Sequence, residues 1–485
     1  MKAKVLTALC LIAAIANGAS EQREPVVAGD ADHAPLYENK VERDARMSWW
    51  REAKFGMFIH YGLYSALGGE FKGRPGGGEW LQTNLGLDTD TYAEETLPIF
   101  KPAKGCTEQW AKLAELAGCR YMVLTSKHHE GFALFDTETT DYSAKKVAGR
   151  DIVREFVESA RKHNQRVGFY HSVIDWHHPS YDNTISPGLC YPKGQAAMLA
   201  AKGIPRDHET YLTYLHKQVR ELLTHYGKID IIWWDYSQGA LSGERGWHAP
   251  KLIQMARELQ PGIVMNNRLY AYSGYEEAND AMQLDLRCGD FMTPEKRLPK
   301  AGCGGTDWES CMTLGNHWGY NKNDVKAYKS PERIIRQLEQ CAAYGGNLLL
   351  NISPREDGTV TPETVLLFER IGRWMAVNGE AVYGSSPVPG VSLPEGWMAS
   401  IVGEDTYIFP PALKPKEAVE LRIPAHEIDT VSPSVLGQPG CKVTVRRIEE
   451  PGEDEPKAFM QFIIPASAWE NAVEGLPVIK LSNAH

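Results

Sequence analysis

Between residues 45 and 385 the chain alternates short apolar segments with longer segments of helical periodicity. A strand that is apolar at nearly every position is covered on both faces of its sheet, which is typical of parallel strands wrapped by helices. The alternation therefore predicts an α/β fold. Seven segments are predicted as strands: KFGMFIHYG, YMVLTSKHH, RVGFYHSVIDW, IDIIWWDYS, GIVMNNR, MQLDLR and GGNLLLNISP.

The first of these strands is not followed by a glycine-rich phosphate-binding turn, which a dinucleotide-binding fold would need. Seven strands in one run, separated by amphipathic segments such as CTEQWAKLAELAG and DIVREFVESARKH, favour a (β/α)8-like barrel of the TIM type. No eighth strand is evident, so the barrel is expected to be irregular.

The pattern changes after the segment NGEAVYGSSPVPG, residues 378–390. The last hundred residues contain short alternating stretches such as DTYIFP, KVTVRRI and AFMQFII, which predict a small antiparallel β-sandwich. We therefore expect a catalytic barrel over residues 36–385 and a C-terminal β-sandwich domain over residues 390–485.

The first twenty residues have the composition of a secretory signal peptide. Lys2 and Lys4 precede an apolar run from Val5 to Ala16, and small residues follow. The run is too short to span a membrane as a helix, and no other stretch reaches that length. Residues 1–20 are thus predicted to direct export to the periplasm or out of the cell.

The cysteines that remain after such a leader are scattered, without CxxC pairs, so they predict neither a zinc site nor a redox motif. A disulfide between Cys288 and Cys303 and a set of buried free thiols are both compatible with this spacing. The net charge is −10 and no block of lysine or arginine occurs, which argues against a nucleic-acid partner or an anionic membrane surface.

Polar residues stand at the ends of the predicted strands. In a parallel barrel the C-terminal ends of the strands converge on one side, so these side chains are expected to share an active site. The residues concerned are His60, His128, His129, Tyr170, His171, Asp235, Asn266, Asn267 and Arg268.

Two kinds of catalysis fit these residues poorly. Metal ligands on a strand usually alternate, whereas the histidines here are adjacent, as in His128–His129 and His177–His178, and neither HxH nor HExxH occurs. A serine nucleophile in a GxSxG turn is also missing from the sequence. We therefore predict that the site uses neither a metal ion nor another cofactor.

Carboxylate catalysis fits better, because Asp235 ends the strand IDIIWWDYS beside Trp233 and Trp234. A second acid is needed in the same cleft. Glu295 follows a proline in the long segment after MQLDLR, where a loop can bring a proton donor over a substrate, and Glu309 in DWESC is the alternative. The other candidates are Glu276, Glu277 and Asp290.

Six motifs in order resemble the family-29 glycoside hydrolases, the α-L-fucosidases. They are WWREAKFGMFIHYGLYS, GGEW, YMVLTSKHHEGFALFDT, VGFYHSVIDWHHPSY, WGYNKND and GGNLLLNISPREDGTV, and they cover most of the predicted barrel. The resemblance implies an exo-acting, retaining α-L-fucosidase that acts on fucosylated glycans by double displacement through a covalent fucosyl-enzyme.

The resemblance also implies roles for individual residues. The family's nucleophile lies in a Trp-Phe-Asp-Gly setting, which corresponds to Asp235 here, with Tyr236 in place of the glycine. The acid/base is carried over to Glu295. The sugar-binding residues correspond to His60, Glu79, Trp80, His128, His129, Tyr170 and Arg268.

Two alternative functions are left open by the sequence. The same retaining chemistry could act on an α-L-galactoside or a related sugar, if the pocket is open around C6. A non-catalytic carbohydrate-binding relative would lack a catalytic carboxylate, and the presence of Asp235 argues against it.

Overall fold

The computed structural model describes residues 38–181, 203, 207–237, 241–270, 289–427, 431–451 and 456–483. The described residues from 39 onward form one compact unit. The predicted signal peptide, the predicted strand at 282–287, Glu276, Glu277 and Cys288 lie outside the described residues.

One sheet of the described chain contains seven parallel strands in the order β5-β4-β3-β2-β1-β7-β6. The strands are β1 Phe55–Ile59, β2 Tyr121–Lys127, β3 Arg166–Ser172, β4 Ile231–Asp235, β5 Val264–Met265, β6 Glu309–Met312 and β7 Asn347–Ile352. Six of them were predicted from sequence, and β6 was not.

The two edges of this sheet, β5 and β6, are linked by the short segment Phe291–Met292. Phe291 forms a parallel bridge with Asn266, and Met292 forms one with Trp308. The amide of Asn267 donates to the carbonyl of Phe291 at 3.1 Å, and the amide of Glu309 donates to that of Met292 at 2.8 Å. The segment occupies the eighth position, which confirms a (β/α)8-like barrel with one irregular strand.

Helices follow the strands and cover the outer face of the sheet. Several start at a side-chain N-cap, such as Asp151, Ser330 and Thr361, because these short polar side chains satisfy an otherwise unpaired amide. The longer helices are Cys106–Ala117, Ile152–Lys162, His208–His225, Ala249–Leu259, Pro331–Tyr344 and Pro362–Asn378. Shorter helices are Leu63–Ala66, Leu81–Leu85, Thr89–Thr96, Ala144–Ala148, Gly243–Trp247 and Ser467–Glu470. Among the described residues none of these helices combines the length and apolar composition that a bilayer span requires.

The helix Lys40–Ala53 closes the N-terminal end of the barrel. Its residues Met47 and Trp50 belong to the same apolar cluster as the inward-facing strand residues, and the Trp50 ring stacks on Phe291 at 4.7 Å. Higher in the barrel, the interior is filled by aromatic side chains such as Phe58 and Trp233. The barrel therefore has a packed core, and a pocket lies at its other end.

A buried ion cluster ties this helix to the irregular part of the barrel. Asp290, which precedes Phe291, accepts hydrogen bonds from Arg46 at 2.7 and 3.0 Å and from Arg257 at 2.8 and 3.0 Å. Its carboxylate also accepts the amide of Met265 at 2.8 Å. Burial alone would raise the pKa of Asp290, but the two guanidinium groups outweigh burial and lower it.

The C-terminal part forms two antiparallel sheets with an apolar core between them, which confirms the predicted sandwich. Its first strand begins before residue 390. The five-stranded sheet contains Ser386–Pro387, Met398–Val402, Asp405–Phe409, Ile479–Asn483 and Val431–Val435. The three-stranded sheet contains Val419–Pro424, Lys457–Ile464 and Thr444–Glu450. Arg336 of the barrel donates to the carbonyl of Pro410 at 2.9 Å, so the sandwich packs against the outer helices.

We predict that Asp290→Asn destabilises the fold by about 3 kcal/mol at neutral pH, because two partly buried guanidinium groups lose the fully buried carboxylate that pairs with them. The native pKa of Asp290 is lowered, so its stabilising contribution is complete above the ordinary carboxyl pKa of about 3.9 and is lost as the pH falls below it. The difference in unfolding free energy between wild type and variant should therefore shrink on acidification, as urea unfolding measures.

Lys72→Ala provides the control for this experiment, because it breaks the exposed pair between Lys72 and Glu95. Such surface pairs contribute about 0–1 kcal/mol. Equal unfolding midpoints for the two variants would contradict the structural role of the Asp290 cluster.

Candidate active site

A pocket of about 180 Å³ opens at the C-terminal end of the barrel strands. This volume is below the roughly 300–1,000 Å³ of pockets for drug-sized ligands, and it suits a single small ring. Eight of the nine site residues predicted from sequence line it. The lining residues are Phe58, His60, Trp80, His128, His129, Tyr170, Trp233, Asp235, Tyr236, Arg268, Glu295 and Trp318.

The alternation of strand β4 directs Asp235 into the pocket. Ile231 and Trp233 belong to the apolar cluster inside the barrel, whereas Ile232 and Trp234 pack against the outer helices. Successive side chains of a strand point to opposite faces, so Asp235 follows Trp233 on the inner face. Only one of the two neighbouring tryptophans therefore lines the pocket.

The carboxylate of Asp235 is held by two donors. Arg268 Nη1 donates to Oδ1 at 2.7 Å, and the phenol of Tyr170 donates to Oδ2 at 2.7 Å. Burial and the charge of Asp235 raise the pKa of Tyr170, so the phenol keeps its proton and remains a donor. A charged and a neutral donor therefore hold the carboxylate of Asp235 in one orientation in the pocket.

Glu295 lies on the other side of Arg268. Its Oε2 accepts a hydrogen bond from Arg268 Nη2 at 3.0 Å, and its Oε1 accepts one from the indole of Trp318 at 3.1 Å. The side chain of Glu295 is 29% exposed, against 12% for Asp235, so Glu295 is the more accessible to water. One guanidinium group thus holds both carboxylates next to each other.

Arg268 is fixed by its own contacts. Its Nε donates to Thr293 Oγ1 at 2.8 Å, and its guanidinium lies 4.4 Å from the ring centroid of Trp233. Burial opposes the charge of Arg268, but Asp235 and Glu295 outweigh burial and raise its pKa. The guanidinium is therefore a permanent cation between the two acids.

The hydrogen bonds of His60 define its tautomer. Asn351 Nδ2 donates to the carbonyl of Trp318 at 2.8 Å, so its Oδ1 accepts a hydrogen bond from His60 Nδ1 at 2.7 Å. Burial lowers the pKa of His60 to about 3, so the ring is neutral. Its Nε2 therefore carries a lone pair and accepts hydrogen bonds.

His129 has the same tautomer by a different route. The hydroxyl of Ser172 donates to the carbonyl of Ile174 at 2.8 Å, and its oxygen accepts a hydrogen bond from His129 Nδ1 at 2.7 Å. Burial lowers the pKa of His129 to about 3. Its unprotonated Nε2 lies 3.7 Å from Oδ2 of Asp235, where it can accept a hydrogen bond from a hydroxyl group of a ligand.

His128 and His129 both line the pocket although they are adjacent in sequence. They follow the end of β2, after a shift of register between Thr125 and Lys127, so the alternation of the strand no longer separates them. His128 stacks parallel to Tyr170 with ring centroids 5.3 Å apart. By contrast, His171 is still within β3 and contacts Ser126 at 2.9 Å, away from the pocket.

Glu79 does not line the pocket. Its Oε2 accepts the amides of Trp318 at 3.0 Å and Gly319 at 2.7 Å, so it fixes the loop that carries Trp318. The next residue, Trp80, does line the pocket and makes an edge contact with His129 at 5.2 Å. Glu79 thus acts on the pocket wall through Trp318.

Glu309 is placed by the structure inside the barrel, outside the pocket lining. It accepts hydrogen bonds from the phenol of Tyr121 at 2.5 Å and from the indole of Trp233 at 3.1 Å. Burial raises the pKa of Glu309 to about 7. The carboxyl therefore supports the pocket floor from below. Asp290 lies at the opposite end of the barrel, and among the described downstream candidates only Glu295 lines the pocket.

Four lining residues were not among the predicted site residues: Phe58, Trp233, Tyr236 and Trp318. Tyr236 directly follows Asp235, and Trp233 precedes it by two residues, so the alternation of β4 is the signal for Trp233. Trp318 belongs to the motif WGYNKND, which the sequence alone does not connect to the pocket. Within the described parts of the chain, no group of three His, Cys, Asp or Glu side chains is arranged to hold a metal ion.

Two carboxylates beside one another, neutral histidines and an aromatic floor at the end of a (β/α)8-like barrel define a glycoside hydrolase that works with a pair of acids. The sequence profile of the family described as alpha-L-fucosidase matches residues 27–380. The chain therefore belongs to the α-L-fucosidase family, family 29 of the glycoside hydrolases.

Individual relatives agree with this assignment. The tissue α-L-fucosidase of Homo sapiens is 31% identical over 361 residues, which cover 70% of each protein. The structure is similar to α-L-fucosidase isoenzyme 1 from Paenibacillus thiaminolyticus, with a TM-score of 0.75, 32% identity, and coverage of 91% of this chain and 100% of that one. A family-29 α-L-fucosidase from Bacteroides thetaiotaomicron, trapped as a covalent intermediate, has a TM-score of 0.72 and 27% identity, with 91% and 97% of the two chains covered.

Proposed function

We propose that the protein is an exo-acting α-L-fucosidase that removes terminal α-L-fucose from oligosaccharides or glycoproteins with retention of configuration. The observation that carries this proposal is the pair Asp235 and Glu295, which share one guanidinium in a pocket sized for one sugar ring. Retaining glycosidases require their two carboxyl groups about 5–5.5 Å apart, without room for a water between them.

In the first step Asp235 attacks the anomeric carbon, and the bond from that carbon to the glycosidic oxygen breaks. Glu295 gives its proton to the departing oxygen, so the aglycone leaves as an alcohol and a β-fucosyl ester of Asp235 remains. In the second step Glu295 takes a proton from water, the resulting hydroxide attacks the anomeric carbon, and the ester bond breaks. Two inversions give net retention, and Asp235 and Glu295 return to their starting protonation states.

Arg268 contacts both acids that take part in these two steps. Its guanidinium donates to Asp235 and to Glu295, so the nucleophile and the proton donor are held beside the same anomeric carbon. When Asp235 becomes an ester, its negative charge is lost. The contact between Arg268 and Glu295 then positions the residue that acts as a base toward water.

The sugar is recognised by hydrogen-bond acceptors and aromatic rings. The unprotonated Nε2 atoms of His60 and His129 accept hydrogen bonds from fucose hydroxyls, and the indoles of Trp80 and Trp318 pack against the apolar face of the sugar and its C6 methyl group. Buried acceptors reject a sugar that lacks the matching hydroxyl, because the acceptor would then be left unpaired.

The relatives support this mechanism. The Bacteroides thetaiotaomicron enzyme was trapped as a covalent intermediate from 2-fluoro-fucosyl fluoride with a variant in which a glutamate is replaced by glutamine. A covalent intermediate fits a carboxylate nucleophile such as Asp235, and a Glu→Gln variant that preserves it fits an acid/base such as Glu295.

We also propose that residues 1–20 form a signal peptide and that the mature enzyme is exported to the periplasm or outside the cell. The support is the order of two lysines, an apolar run and small residues. When the full chain is expressed in bacteria, N-terminal sequencing should find that the exported protein has lost about twenty residues. Leu11→Arg interrupts the apolar run and should leave the chain unprocessed. An exported wild-type protein that still begins at Met1 would contradict the proposal.

We predict that Asp235→Gly lowers kcat/KM on aryl α-L-fucosides at least about 10³-fold, because the covalent nucleophile is lost. Added azide should occupy the vacated space and give β-fucosyl azide by a single inversion. The control is Asp230→Asn, which removes a carboxylate from the N-terminal end of the same strand segment, where Asp230 pairs with Arg166. Wild-type turnover in Asp235→Gly would end the nucleophile assignment.

We predict that Glu295→Ala retains activity only on fucosides with good leaving groups, because protonation of the departing oxygen is lost. Azide should then accelerate turnover by attacking the fucosyl-enzyme, and the product should be α-fucosyl azide, identified by NMR. Glu309→Gln is the matched control: it should lower the unfolding temperature and give no azide product. If Glu309→Gln were rescued by azide and Glu295→Ala were not, the acid/base would have to be reassigned.

A further inference from the structure

Tyr236, the residue after the proposed nucleophile, has a backbone conformation that is rare for an aromatic residue. Its φ angle is 83°, in the region that glycine adopts readily and that costs other residues about 1–3 kcal/mol. Glycine stands at the matching position in the Trp-Phe-Asp-Gly pattern of the family that this sequence resembles. Such strain persists where the surrounding structure requires the side chain, so the location of the Tyr236 ring indicates why tyrosine is kept.

The ring of Tyr236 is buried in the wall of the pocket, with 9% of the residue exposed. It contacts His129 edge-on at a centroid distance of 5.0 Å and lies 5.7 Å from Trp80. Trp80 and His129 are themselves 5.2 Å apart, so the three residues form a continuous three-ring wall. Trp176 packs behind this wall, 5.4 Å from Trp80 and 5.6 Å from His129.

In the proposed mechanism this wall lies on the side of the sugar that Asp235 attacks, away from the leaving group. In a displacement the nucleophile and the leaving group lie on opposite faces of the anomeric carbon, so the aglycone leaves on the side of Glu295. Tyr236 is adjacent to Asp235, and it packs on His129, whose Nε2 lies 3.7 Å from Oδ2 of Asp235. The Tyr236 ring therefore borders the space around the sugar hydroxyl that donates a hydrogen bond to His129.

We propose that Tyr236 is a specificity-determining residue that closes the sugar pocket beside His129, so that the enzyme rejects fucose substituted on the hydroxyl at this wall. The proposal rests on the proposed fucosidase function and adds the form of fucose that is accepted. A methyl, acetyl or sulfate group on that hydroxyl would overlap the phenol ring. Glycine at the same position leaves a cavity, and cavities lined by aromatic groups in a packed interior persist and bind small apolar groups.

The test compares kcat/KM for 4-nitrophenyl α-L-fucoside with that for its 2-, 3- and 4-O-methyl ethers. Wild type should cleave the unsubstituted compound and discriminate against the ether at the wall by at least about tenfold, because the methyl group overlaps the Tyr236 ring and the ether oxygen cannot donate to His129. Tyr236→Gly should raise the kcat/KM ratio of one ether to the unsubstituted fucoside by at least about tenfold. Tyr236→Phe keeps the ring and should keep the wild-type ratio.

Tyr236→Ala opens a similar cavity and should raise the kcat/KM ratio for the same ether, so the result does not depend on one variant. Because glycine relieves the strained φ angle, Tyr236→Gly should also unfold at a higher temperature than Tyr236→Ala. The proposal is overturned if neither variant changes the ratio for any ether, or if wild type cleaves all three ethers as well as the parent fucoside. Failure of wild type on the parent fucoside would instead refute the fucosidase assignment itself.

Discussion

The guanidinium of Arg268 is the interaction on which the site depends. It donates to Asp235 at 2.7 Å and to Glu295 at 3.0 Å, so two acids that would repel each other lie side by side in a buried pocket. The Trp233 ring under the guanidinium and the hydroxyl of Thr293 fix its plane. A lysine would supply one point charge and would lack the fork that holds two carboxylates in a defined arrangement.

The parts of the fold that depend on local periodicity were predictable from sequence. The apolar strands and the polar residues at their ends indicate a parallel barrel and one shared pocket, since parallel strands end on the same side. Strand alternation directs Trp233 and Asp235 to the same face. These two rules, together with the motif resemblance, account for the barrel and for eight of the pocket residues.

Other features depend on partners that are distant in sequence. Trp318 reaches the pocket because its loop amides bind Glu79, 239 residues earlier. Strand β6 has only four residues, and its Glu309 is buried because Tyr121 and Trp233 donate to it from positions 188 and 76 residues away. Neither position follows from local hydropathy, because glutamate is ordinarily a surface residue and the apolar character of a tryptophan does not tell which distant part of the chain it contacts.

The segment that completes the barrel wall has a consequence for how the catalytic machinery is anchored. Asp290 begins it at the base of the barrel, Phe291 and Met292 span the gap between the sheet edges, and Glu295 ends it at the pocket mouth. The proposed proton donor therefore lies at the end of the least regular segment of the barrel wall. The start of this segment is held by arginines from two different helices. Asp290 and Glu295 are therefore constrained together during evolution, since a substitution that loosens the segment at Asp290 would also displace Glu295 at the pocket.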